Sequence, residues 1–190
     1  MNSLTKFQKH YLGVLLITVL LLLIPLVAMV FTDEVIWTLG DFVFAGIMLS
    51  VTGTSFAYVL NKNGSNQYKI GSGIALISSF LLVWVNLAVG IVGHEGEAIN
   101  MLYFGVLAIG LIGAFLTRFR AQEMSYILFT MAFALMLVAV IALMGFMQEP
   151  PHNTAMQIIT VNAFFAVLFS LSAISFRQAI QNSIKNKDSF

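Results

Sequence analysis

This sequence predicts an all-α integral membrane bundle of six transmembrane helices, and three observations carry that prediction. Hydrophobic residues fill 59% of the 190 positions and charged ones only 9%, with a mean hydropathy of +0.95, where an ordinary soluble domain is roughly a quarter charged. The apolar residues gather into six runs, at about 11–31, 41–60, 70–93, 101–117, 123–147 and 155–176, each close to the ~20 residues a helix needs to cross about 30 Å of hydrocarbon. The polar links between them are short, so the chain reads as a single transmembrane domain over 1–190. Finally, all nine Lys and Arg fall in the N-terminal lead, the links after the second and fourth runs, and the C-terminal tail. The positive-inside preference then places both termini in the cytoplasm. Tyr11, Tyr58, Tyr68 and Tyr126 fall at the inner interface, and Trp37 and Tyr103 at the outer one, as aromatic belts would.

The first run, Tyr11 to Phe31, is too long for the apolar segment of a signal peptide and reads as a retained span. Pro25 removes a backbone hydrogen bond there and bends the helix. Thr18 is its one polar residue between Val14 and Phe31, so this helix faces lipid over much of its surface. In the second run Asp41 falls in the first turn, either as an N-cap, where a carboxylate accepts orphan amide hydrogens, or as a buried ion or proton site. Asp41, Ala45, Met48, Thr52 and Ser55 share a small, polar side suited to facing other helices. The third run sets Ser72, Ser79, Asn86 and Gly93 at seven-residue steps, with Gly90 nearly on the same face, as a close-packing seam. Trp84 lies too deep for an interfacial belt and packs within the bundle, with its indole N–H as a donor.

Gly105, Gly110 and Gly113 make the fourth run another closely packing helix, ended by Arg118 and Arg120. The fifth carries Met124, Met131, Met136, Met144 and Met147. Thioethers suit copper(I), but methionine is also a flexible apolar filler, and these five form no single stripe. The sixth aligns Asn162, Ala166, Ser170 and Ala173 on one face.

Two amides stand out from their apolar surroundings. Asn86 and Asn162 lie roughly 10–13 Å inside the outer helix ends at 1.5 Å per residue, where hydrocarbon offers a carboxamide no partner. Either each glues helices together, an interaction of about 0.6–2 kcal/mol, or they line an outward-opening pocket with Asp41, Trp84 and nearby Ser or Thr. Such a pocket would take a small polar solute or a cation. On the outer links His94, Glu95, Glu97 and His152, with Asp33, Glu34 and Glu149, offer ligands for a divalent metal, or are simply solvated loop charges.

Other chemistry is excluded more firmly. The absence of cysteine removes disulfides and thiolate ligands. No histidine lies at membrane depth to hold haem or to activate a buried serine, and no second intramembrane Asp accompanies Asp41. There is no phosphate-cradling glycine loop and no basic face for nucleic acid. We therefore expect a non-enzyme without a cofactor, whose partners are the lipid bilayer, a small solute or cation, and a second copy or a membrane-complex subunit. An accessory subunit whose polar residues only pack is the alternative, followed by a metal-dependent membrane enzyme using the outer histidines.

A faint repeat runs through the even helices: Asp41, Asn100 and Asn162 are each followed three residues later by Phe44, Tyr103 or Phe165, and near the inner end by Phe56, Phe115 or Phe176. It would make the chain three helical hairpins, with chance in a chain of 17 phenylalanines as the other reading. Gly40-Asp41-Phe42 opens the second run, Trp84-x-Asn86-x-Ala88-Val89-Gly90-x-x-Gly93 with Glu95 ends the third, and Asn100-x-x-Tyr103 opens the fourth. This combination resembles a group of small bacterial six-helix membrane proteins; the resemblance implies a bacterial inner-membrane setting and brings no activity with it. Size and helix count also suit the substrate-binding subunits of energy-coupling-factor vitamin transporters, a likeness of architecture alone.

Overall fold

Side-chain caps mark where the second and third helices of this chain begin. The computed structural model describes residues 6–62, 64–94, 96–146 and 155–187. It contains α1 (Lys6–Phe31), α2 (Leu39–Asn61), α3 (Asn66–Ala88), α4 (Met101–Leu116, entered through a 3-10 turn at Ala98–Asn100), α5 (Ala121–Phe146) and α6 (Ala155–Lys187). All six are long and apolar enough to span a membrane. Thr38 opens α2 by accepting from the Asp41 amide at 3.4 Å, while the Asp41 carboxylate accepts from the Thr38 amide at 2.7 Å and its hydroxyl at 2.8 Å. That reciprocal arrangement is a capping box. The Ser65 hydroxyl caps α3 by accepting from the Tyr68 amide at 3.3 Å.

The helices divide into two compact units, α1 with α2, and α3 through α6. In the first, α2 presents Gly53 to Val14, so closely that an added Cβ would stand 2.7 Å from Val14 Cγ1. Thr18, Ala45 and Ala57 are buried, while most of α1, including Leu15, Leu16, Ile24 and Val30, is exposed as expected of a lipid-facing helix. Met48, Thr52 and Ser55 are half-buried on the Ala45 side of α2, whereas Asp41 is exposed.

In the second unit α5 and α6 pack most extensively, α3 lies on α6, and α4 lies on α5. Leu82, Leu135, Phe165, Phe169 and Phe176 are fully or almost fully buried in its core. Glycine allows three close approaches there. A Cβ on Gly71 would meet Phe176 Cδ2 at 3.0 Å and the Ser172 carbonyl at 3.1 Å, and the Ser172 hydroxyl donates to the Gly71 carbonyl at 2.7 Å. Gly110 faces the Met131 side chain and Gly113 faces Ile127. Met131 is thus core filling, whereas Met147 lies outside the described residues.

Several expectations need correcting. The third helix stops at Ala88 rather than Gly93, because Gly90 and Gly93 both take φ of +72°, a left-handed conformation that ends a helix. The expected seam therefore ends at Asn86, and along it Ser78 is buried more deeply than Ser79. Tyr103 is not a belt residue but 1% exposed in the core. The sixth helix runs on past Phe176 to Lys187. The second and third hairpins of the supposed repeat are not alike in packing: α5 and α6 embrace, while α3 and α4 touch little.

The α4–α5 turn is unusual in placing two successive non-glycine residues, Arg118 and Phe119, at φ of 54° and 57°. L-residues pay about 1–2 kcal/mol each for that geometry. Helping to hold it are a bond from the Phe119 amide to the Ala114 carbonyl at 3.0 Å and one from the Tyr68 hydroxyl of α3 to the Phe119 carbonyl at 2.9 Å.

Candidate polar site in the four-helix unit

Three carboxamides are buried in this unit, Asn86, Asn100 and Asn162, at 2%, 2% and 0% exposed. Asn86 and Asn100 meet where α3 ends and α4 begins, so Asn86 is two residues from its helix end rather than roughly 10–13 Å inside it, while Asn162 sits seven residues into α6. Breaking α3 at Gly90 leaves Ile91 and Val92 non-helical and yet buried, so their backbone groups need partners. Asn100 supplies them. Its Oδ1 accepts from the Ile91 amide at 3.2 Å and the Val92 amide at 3.0 Å, and its Nδ2 donates to the carbonyls of Val92 at 3.0 Å and His94 at 2.7 Å. One side chain thereby folds the α3–α4 link into the core.

Asn86 donates from Nδ2 to the Asn100 carbonyl at 3.1 Å. A carbonyl only accepts, so this contact decides which end of the amide is nitrogen. Its Oδ1 then points elsewhere, with under 1 Å² of accessible surface and no donor. The same logic holds on α6, where Asn162 Nδ2 donates to the Ile158 carbonyl at 2.9 Å and the Tyr103 hydroxyl at 3.0 Å. Asn162 Oδ1 is likewise buried without a donor. Residues 100 and 103 are one turn apart, about 5 Å along the axis, so a single short stretch of chain receives both amides.

The other expected site residues are placed differently. Trp84 is half-buried and stacked on Phe80, with centroids 5.8 Å apart, and residues two apart on a helix do not share a face, so it stands aside from Asn86. Asp41 belongs to the α1–α2 unit and is engaged in the capping box as its third residue, with Thr38 rather than Asp41 as the N-cap. The three repeat positions thus have unlike roles: Asp41 accepts from the Thr38 cap, Asn100 holds a link, and Asn162 joins two helices.

On the link, His94 Nε2 stands 3.1 Å from Glu97 Oε1, and the Gly96 amide donates to His94 Nδ1 at 3.2 Å. A metal would have to displace one of these contacts. Glu95, Glu149 and His152 lie outside the described residues, and among the described residues no three His, Cys, Asp or Glu come together.

Asn100 and Tyr103 are the residues that reading the sequence for a site missed. A partial signal was present, since Gly90 and Gly93 bracket an apolar pair, glycines punctuate helices, and a buried break leaves backbone groups in need of partners. No protein-family model matches the chain, and neither a curated protein nor a solved structure matches it.

Proposed function

We propose that the chain is a multi-pass protein of a bacterial inner membrane, with both termini cytoplasmic, that binds or passes a small polar solute or cation without catalysing a reaction. The observation that carries this reading is the pair of buried, donorless oxygens on Asn86 and Asn162. An unpaired buried acceptor costs about 1–3 kcal/mol, and a guest bearing N–H groups or positive charge would offset that cost at the oxygen it reaches. Both amide nitrogens are already committed to protein acceptors, so the spare valence is oxygen only and selects against anions. With under 1 Å² exposed at each oxygen, a guest reaches either one only when neighbouring groups move aside.

A second reading has its own support. Both amides already join neighbouring elements, Asn86 to the α4 entrance and Asn162 to Tyr103, as they would in an accessory subunit that uses polar residues only for packing. Thermal unfolding of the purified protein across sodium, potassium, ammonium and small alkylamines separates the two. Binding predicts that at least one of these cations raises the Tm of the native protein and that Asn86→Leu and Asn162→Leu each abolish the rise. If no cation shifts the native protein, and both variants melt below it by the loss of these bonds alone, the amides serve packing.

A further inference from the structure

Tyr68 links three helical elements at the opposite end of the α3–α6 unit. Its ring meets Phe176 of α6 edge-on, with centroids 5.0 Å apart, and its hydroxyl donates to the Phe119 carbonyl in the α4–α5 turn at 2.9 Å. Each of these three residues adjoins a cation in sequence: Lys69 follows Tyr68, Arg118 and Arg120 flank Phe119, and Arg177 follows Phe176. One tyrosine side chain therefore ties together three segments, each with a cation next to the tied residue in sequence. Glu123, which stands 4.0 Å from Arg120, is the one carboxylate at this end among the described residues. The Arg177 guanidinium lies 5.9 Å from the centroid of the Phe129 ring. Beside the arginines, Phe115, Leu116 and Phe119 are exposed.

We propose that this end of the unit binds the phosphate headgroup of an anionic phospholipid, with Arg118 and Arg120 as its principal contacts and Lys69 and Arg177 completing the field. Guanidinium groups match phosphate oxygens in a planar, two-pronged geometry, and basic clusters between membrane helices suit lipid headgroups. The exposed Phe115, Leu116 and Phe119 commit the source to lipid, since they offer acyl chains a surface that free phosphate cannot use. The left-handed turn serves the same end, because it holds both arginines beside the Tyr68 tie. This inference rests on the membrane-spanning part of the reading above and is independent of the amide site.

The test begins with alkaline extraction of membranes, which an integral chain resists; a chain that washes off overturns both readings. For the integrated protein, native mass spectrometry with phosphatidylglycerol, phosphatidylcholine and inorganic phosphate reads the site. We expect phosphatidylglycerol to be retained about tenfold better than phosphatidylcholine, and the Arg118→Gln, Arg120→Gln double variant to lose about that preference. Lys185→Gln, on the exposed end of α6, should leave it within about twofold. Tyr68→Phe keeps every charge and unties the turn, and should weaken retention severalfold. All four substitutions keep polar or aromatic character, and helical content by circular dichroism checks the fold. The proposal is overturned, with the membrane reading intact, if phosphatidylglycerol shows no preference, if Lys185→Gln loses as much as the double variant, if Tyr68→Phe changes nothing, or if inorganic phosphate binds as well as the lipid.

Discussion

The α1–α2 hairpin and the α3–α6 unit are both built from helices apolar enough to span a membrane and treat them in opposite ways. Two helices share one line of contact, so the hairpin buries little beyond Thr18, Ala45 and Ala57 and leaves its large side chains outward. Four helices enclose an interior, and only there do carboxamides, serines and a tyrosine become buried. Apolar composition alone therefore does not create a core. An enclosed volume does, and it is also what makes a polar side chain consequential, because buried polar groups are held to a stricter account of partners than exposed ones.

The sharpest way to break this contrast is Asn100→Ala. It strips partners from the Ile91 and Val92 amides and the Val92 and His94 carbonyls, so we expect a loss of about 3–5 kcal/mol in denaturant unfolding of the protein in bicelles. A loss under about 1 kcal/mol would mean the link does not depend on that amide. Next is Gly71→Ala, whose new methyl would meet a backbone carbonyl and a buried ring; about 1–3 kcal/mol should go in the same assay. Gly110→Ala makes the matching control, since it meets only the flexible end of Met131, and should cost less than about 1 kcal/mol.

Within the hairpin, Thr38→Ala removes the α2 cap and should cost about 1 kcal/mol, with faster amide exchange in the first turn of α2 and none of the change spreading to α3–α6. Exchange that rises equally in both units would erase the distinction between them. Tyr103→Phe is the mildest change: it deletes the acceptor for Asn162 Nδ2, which keeps the Ile158 carbonyl. Interhelical hydrogen bonds of this kind average about 0.6 kcal/mol, so a small drop in unfolding free energy is expected, and a drop above about 2 kcal/mol would show a wider network behind it.

Much of the fold was legible because helices in an apolar chain announce themselves by length. The six runs matched six helices, and the small side of α2 at Ala45 and the close-packing glycines Gly110 and Gly113 were found where spacing placed them, whereas Gly105 faces open space. Boundaries were harder. Hydropathy carries straight through Val89-Gly90-Ile91-Val92-Gly93, because buried apolar side chains look the same in a helix and in a tucked link. The candidate site was half legible: Asn86 and Asn162 stood out as polar residues in apolar runs, while Asn100 and Tyr103 resembled ordinary boundary residues.

The amino-acid order by itself determined that six helices of spanning length form and which residues stand out as polar within apolar runs, while Thr38 rather than Asp41 proved to be the α2 N-cap. Those are local properties of composition, spacing and backbone preference. Only the tertiary structure decided that α3 seeks α6 rather than α4, that Asn100 serves the link behind it while Tyr103 serves Asn162, and that Tyr68 joins residues more than 50 positions apart. Hydrogen bonds and close packing act over a few ångströms of space, and no pattern along the chain encodes which distant segments will come within that reach.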